Sequence, residues 1–228
     1  GFDALGTAAA VSGVFSTIGA AVPYIGLAMM AASALGLFDR GGPKVGAFAQ
    51  TSGLNLDPFF GGGDSRPLEQ LVTGTQASYR SLVSGFGGRP GDFQLALGYD
   101  TDPEGDAPNR ISAGASVDGV TVVERLSEDI GRDQARLEEE IAGTVGDALL
   151  GALLASDIPE AVKDLLRGFE GTTEELEAYA LKLVGVNALL NTTNVGIQQI
   201  LGDLSLADVE KFSDYLGGVQ NAAALMNS

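Results

Sequence analysis

Apolar and polar positions divide this chain into stretches of different period. From Ala4 to Phe38 there is no charged residue, and Asp3 and Asp39-Arg40 bracket the run. A helix needs about 20 apolar residues to cross a bilayer core, so the run is long enough to do so. Glycines interrupt it at Gly6, Gly13, Gly19, Gly26 and Gly36, and Pro23 stands in its middle. Gly6 and Gly13, then Gly19 and Gly26, stand one heptad apart, so small residues fall on one helix face and let backbones approach closely. Pro23 removes a backbone hydrogen bond and predicts a kink near Val22. The run therefore reads as one or two helices that either pack tightly in protein or engage a membrane, and both outcomes stay open.

Residues 39–67 are punctuation. Gly41-Gly42-Pro43-Lys44 and Gly61-Gly62-Gly63-Asp64 break regular structure, with an irregular or briefly extended piece from Ala47 to Leu56 between them. Leu68, Leu71, Val72, Tyr79, Leu82 and Val83 recur at near-helical spacing, which predicts a helix from Pro67 to Ser84 that ends at Gly85 to Gly91. Phe93, Leu95, Leu97 and Tyr99 then alternate with polar or small partners, the period of a strand. Arg110 to Val117 and Val120 to Val123 read as two more strands, joined at Asp118-Gly119, a favoured two-residue hairpin turn.

From Ser127 onward the pattern is helical. Ile130, Leu137, Ile141, Val145, Leu149 and Leu153 form a stripe of period 3.6. Asp157 is expected to cap a second helix, with Pro159 in its first turn and Ile158, Val162, Leu165, Leu166 and Phe169 buried. Thr172 to Glu175 has capping-box spacing and opens a third helix through Leu176, Tyr179, Leu183 and Val186. Asn191 to Asn194 ends it, and a last helix starts near Ser205 and runs through Val209, Phe212, Leu216 and Val219.

The organisation that follows is a Gly/Ala-rich segment (1–38), a Gly/Pro-rich linker (39–67), a short helix with a Gly-rich joint (68–91), a β meander with an acidic loop (92–126) and a helical C-terminal region (127–228). The expected fold class is mostly α with a small antiparallel β meander: an extended, non-globular α+β chain built of helical bundle elements.

Composition changes this picture in three ways. The net charge is −17, so the chain lacks the Lys and Arg surplus that releases counterions from nucleic-acid phosphates. The same charge either lets the chain face DNA without sticking or only keeps it soluble. There is no Cys and no His, which excludes disulfides, thiol nucleophiles, histidine bases and zinc sites of the Cys/His type. Gly is about twice its usual share of roughly 7%, and Trp is absent, so a large core is not obvious from composition. The apolar run lacks a basic n-region and does not read as a signal peptide. The first residue is Gly, from which we expect a longer chain.

Candidate chemistry is sparse. Asp100, Asp102, Glu104 and Asp106 alternate in a turn-rich loop that begins like a calcium loop. A full EF-hand needs a bidentate Glu at its twelfth position, where this chain has Ile111, and Pro103 constrains the backbone, so a solvated turn is the better reading. Glu138-Glu139-Glu140 points in different directions on a helix and reads as a solvated face. Lys44 follows two glycines without phosphate-loop spacing. Asn191-Thr192-Thr193 matches a glycosylation acceptor only as a short pattern. No nucleophile stands with a base, so no enzyme activity and no cofactor are expected.

Three segments together resemble the C-terminal region of tail tape measure proteins of long-tailed bacteriophages. Ala34-Leu35-Gly36-Leu37-Phe38 followed by Gly41-Gly42-Pro43-Lys44 resembles the end of the hydrophobic region in that family. Gly98-Tyr99-Asp100-Thr101-Asp102-Pro103 with Ala107-Pro108-Asn109-Arg110 is similar to a downstream segment. Ala148-Leu149-Leu150 through Ala155-Ser156-Asp157-Ile158-Pro159 looks like the helical tail that follows. The three occur in the family's order, and the stretch after about Leu190 has no counterpart.

The resemblance implies a structural virion protein of the tail lumen at the tail tip, whose length-setting helical part would lie upstream of Gly1. It implies a homotrimer, partners among tail-tip proteins such as the distal tail and hub proteins, no specific nucleic-acid binding, and contact with the host envelope during infection and DNA ejection. Gly6, Gly13, Gly19, Pro23, Gly26 and Phe38 are then the candidate membrane or self-packing residues. Two other classes compete. A pore-forming, toxin-like protein would insert spontaneously into lipid. A calcium-dependent surface binding module would use Asp100 to Asp106 and melt at a calcium-dependent temperature.

Overall fold

The computed structural model describes residues 45–50, 65–101 and 108–192. Within them the chain order is β1 (Val45–Gln50), α1 (Arg66–Gly85), β2 (Phe93–Thr101), β3 (Asn109–Val117), β4 (Val120–Gly131), α2 (Gln134–Ala155), α3 (Glu160–Arg167) and α4 (Thr173–Thr192). The strands form one antiparallel sheet in the order β1-β2-β3-β4, so each strand pairs with its neighbour in sequence.

Local chemistry sets the element ends. Pro67 lies in the first turn of α1, where a missing N–H costs nothing. The same helix closes with a Schellman motif. Gly88 N–H donates to Val83 O and Gly87 N–H to Ser84 O, both at 2.9 Å, with Gly87 at φ +81°. Asp118 (φ +50°) and Gly119 (φ +79°) form the β3–β4 turn, the two positive φ angles that a tight hairpin requires. Asp133 caps α2 by accepting the Ala135 N–H at 3.0 Å. At the start of α4, Thr172 N–H donates to Glu175 Oε2 at 2.8 Å, and Glu175 N–H donates to Thr172 Oγ1 at 3.3 Å, a reciprocal capping box.

The β2–β3 ladder pairs Phe93 with Val117, Leu95 with Ala115, Leu97 with Ala113 and Tyr99 with Ile111. Because side chains alternate across a strand, these eight share one face of the sheet. Helices cover that face. The Tyr79 ring of α1 lies 4.8 Å from the Phe93 ring, and Arg125, which pairs with Ala113, reaches Glu140 and Thr144 of α2. Helix α1 packs over β1 and β2 and α2 over β3 and β4, while α4 packs on α1 and α2, and α3 on α2. One apolar core draws on every element, from Ala49 of β1 to Val186 of α4.

This compact α+β arrangement corrects the expected extended, non-globular helical chain. The apolar helix faces were legible, but their partners were not. Those faces meet the sheet and one another within the same chain. The helical reading from Ser127 is also corrected. Ser127 to Gly131 continues β4 past a bulge, where Ser127 (φ +50°) donates its N–H to Ser112 Oγ at 2.9 Å. Ile130 is buried from the strand, not from a helix, and its seven-residue offset from Leu137 only mimics a helical repeat. Asp157 does not cap α3. It forms an isolated antiparallel bridge with Arg89, and Pro159 precedes the helix without a side-chain cap. Val45 to Gln50, inside the stretch read as linker, is a strand registered on β2.

Candidate functional site

The residues expected to pack against copies of the chain or a membrane, Gly6, Gly13, Gly19, Pro23, Gly26 and Phe38, lie outside the described residues. So do Asp102, Glu104 and Asp106 of the acidic loop. Asp100 is described. It stands near the end of β2, between Gly46 of β1 and the cation Arg110 of β3 across the two ladders. Among the described residues no three His, Cys, Asp or Glu side chains come together in a metal-holding group. Among them, too, no helix is long and apolar enough to cross a membrane.

The described part carries two hollows along α2. A groove of about 480 Å³ lies between α2 and the α3–α4 junction, with Glu139, Asp147 and Glu170 at its rim and Leu150, Phe169 and Leu176 along its floor. A second hollow of about 570 Å³ shares Glu139 and adds Asp133, Arg136 and Glu140. The hydroxyls nearby are committed. Thr173 Oγ1 donates to Ala142 O at 2.6 Å, and Thr172 serves the capping box. What remains is an acidic trough with an apolar floor, suited to a cationic or amphipathic partner surface and repellent to phosphate.

Arg125 joins the sheet to this helix. Its guanidinium donates to Glu128 Oε2 at 2.7 Å, Glu140 Oε2 at 2.7 Å and Thr144 Oγ1 at 2.6 Å. Thr144 in turn donates to Glu140 O at 2.7 Å. The bond to Glu128 raises the guanidinium pKa, against desolvation and with help from Glu140, while the same bond and then its charge hold Glu128 below the ordinary glutamate range. Arg125→Met is expected to cost about 1–2 kcal/mol at neutral pH through the part-buried bonds to Glu140 and Thr144.

The acid limb has a definite sign. A carboxylate with a depressed folded-state pKa adds stability above its unfolded pKa and loses it as pH falls through the folded value. Urea titrations of parent and Arg125→Met should therefore show a gap that is steady at neutral pH and narrows below the ordinary glutamate value of 4.5. Salt narrows it too, because exposed pairs are screened. A gap that widens in acid contradicts this role for Arg125.

Two buried polar fasteners were missed in the sequence. The Ser78 hydroxyl of α1 donates to the Glu177 carboxylate of α4, with both residues almost fully buried. Tyr79 of α1 bonds Ser156 beyond α2. The signal for Glu177 was present. Thr173, Leu176, Glu177, Ala180 and Val184 fall on one helical face, and all are buried, so a Glu on that face called for a polar partner.

No family model matches the chain, and no curated protein or solved structure shows significant similarity to it.

Proposed function

We propose that this chain is a structural, non-catalytic part of a virion: the C-terminal, tail-tip region of a bacteriophage tail tape measure protein. It rests in the tail lumen as a homotrimer against the distal tail and hub proteins, and it helps the genome cross the host envelope. The observation that carries this reading is the order of the three resembling segments along the chain. Two of them fall on described elements. Gly98 to Thr101 ends β2, with Asn109-Arg110 opening β3 beside it, and Ala148 to Pro159 spans the end of α2 and the turn into α3. The division of labour is physical. A charge-free run from Ala4 to Phe38 contacts lipid or its own copies, while a compact acidic body docks and leaves passing DNA unbound.

Vesicle leakage by the purified full chain tests the proposal, beside a variant with Gly13, Gly19 and Gly26 changed to Asp. Each Asp placed at the centre of a membrane helix costs about 2.5–3.5 kcal/mol, so the triple variant should lose essentially all leakage. Sedimentation should give a trimer for the parent. Leakage by the parent alone supports delivery. A parent-specific trimer without leakage keeps the tail-tip anchor and removes the membrane step. A monomer that leaves vesicles intact overturns the proposal.

A further inference from the structure

Helix α2 carries Gly143, Gly146 and Gly151 in its interior, and the fold explains two of them. A Cβ on Gly146 would meet Thr173 Oγ1 at 2.5 Å, and one on Gly151 would meet Val122 at 3.0 Å. Gly143 differs. It is exposed, and a Cβ there would meet nothing within 4 Å. Glycine weakens a helix interior relative to alanine, and no close approach within the chain offsets that cost here. Gly143 also lines both hollows along α2, so it marks the place where they meet. Glu139, Gly143 and Asp147 follow one another at a spacing of four residues, which puts them on one ridge of the helix. That ridge is a carboxylate, a notch and a carboxylate over about 12 Å. Glu170 lines the groove from the α3–α4 junction, and Leu150 and Phe169 lie half-buried in it.

We propose that this groove seats a cationic amphipathic helix of a partner protein, which crosses α2 at the Gly143 notch. Charge selects the occupant. Glu139, Asp147 and Glu170 form no ion pair among the described residues, while the charges around them are engaged. Glu140 holds Arg125 at 2.7 Å and Arg136 at 3.9 Å, and Glu160 holds Arg167 at 2.8 Å. Three unpaired carboxylates around half-buried apolar side chains repel phosphate and anionic lipid and attract Lys and Arg. A second copy of this chain brings a net charge of −17 and does not complement them.

The notch selects a helix. With no side chain at Gly143, a second helix axis can approach α2 closely, because side chains at the crossing set that distance. An apolar side chain from one face of the partner then reaches Leu150 and Phe169, and Lys or Arg a turn to either side reaches Glu139 and Asp147. The seat is built in advance. Thr173 Oγ1 donates to Ala142 O at 2.6 Å, the capping box fixes Thr172 and Glu175, and the Phe169 ring stacks on Tyr179 with centroids 5.4 Å apart. Docking therefore orders little of this chain. Leu150 does not belong to the fully buried stripe of α2, so the partner takes nothing from the core. This inference does not rest on the virion reading.

The test uses the full chain and a fluorescent Leu/Lys peptide patterned as an amphipathic helix, with anisotropy read at about 0.15 M salt. The peptide should bind and shift the amide signals of Gly143, Gly146 and Gly171. A scrambled peptide of the same composition should bind about tenfold more weakly, because it has no apolar face. Gly143→Leu fills the notch, and its Cβ meets nothing inside the chain. It should weaken the patterned peptide by about tenfold without lowering the melting temperature. Glu139→Gln with Asp147→Asn should weaken it by a similar factor. Glu124→Gln with Asp157→Asn removes the same charge at exposed positions outside the groove and should change affinity by less than about twofold. Equal losses from the two charge pairs overturn the proposal in favour of attraction to net charge alone. Parent-like binding by Gly143→Leu, or equal binding of the scrambled peptide, overturns the helix seat. A patterned peptide that does not bind at all ends the proposal.

Discussion

Replacing Tyr79 with alanine is expected to lower the unfolding free energy by about 3–5 kcal/mol, as for other large aromatics cut from a packed core. Tyr79 is 0% exposed, and its ring packs against Phe93 with centroids 4.8 Å apart. The hydroxyl adds a polar chain whose protons can be placed. Ser156 Oγ donates its only proton to Ala152 O at 2.6 Å, so it must accept at 2.8 Å from the Tyr79 hydroxyl. The same Tyr oxygen accepts the Gly91 N–H at 3.1 Å. One side chain thus ties α1 to the end of α2 and to the turn that delivers β2. Tyr79→Phe keeps the ring and orphans the Gly91 N–H and the Ser156 oxygen, which should cost about 1–3 kcal/mol. Denaturant titrations should show both midpoints lowered with unchanged slopes. A Phe variant as stable as the parent would mean that water replaces the bonds and that the chain is not a fastener.

The features that were legible in the sequence are those decided within a few residues. The alternation at Phe93, Leu95, Leu97 and Tyr99 became β2, Asp118-Gly119 became the turn, and Thr172 with Glu175 became a capping box. Features decided across the chain were not legible. Ser127 to Gly131 reads as helix by its spacing to Leu137, but pairing with β3 and a bulge at a positive-φ Ser hold it as strand. Val45 to Gln50 has no strong strand pattern of its own and is set by its register on β2. Ala96, Gly98, Ser112 and Gly114 look like weak strand residues until the β2–β3 register pairs Ala96 with Gly114 and Gly98 with Ser112. Arg125 reads as one charge in a hairpin, and only the fold brings Glu140 and Thr144 to it. Of the candidate site, the glycine pattern, Pro23 and Phe38 lie outside the described residues, while Asp100 stands across the ladder from Arg110.

Leu149→Ala should cost about 2–5 kcal/mol, and this value separates a compact body from helices that wait for a partner. In α2 the residues Leu137, Ile141, Val145, Ala148, Leu149, Ala152 and Leu153 are all 1% exposed or less. Two of these positions are alanines, so the stripe lies close against its neighbours and has little slack to refill a cavity. Gly151 shows how close: a Cβ there would meet Val122 of β4 at 3.0 Å. Removing the Leu149 side chain loses its burial and leaves a void that such walls cannot collapse into, which puts the cost toward the upper part of the range. An extended chain with open helix faces predicts the opposite, since a solvated Leu contributes little before docking. Leu126→Ala supplies the control, because Leu126 is 64% exposed on the edge strand and should change stability by at most about 0.5 kcal/mol. Thermal or urea unfolding of the isolated chain reads both variants. Equal and small effects would return the helices to the role of unpartnered docking elements. A large effect at Leu149 alone means that α2 spends its apolar face inside this chain and keeps none of it for a partner.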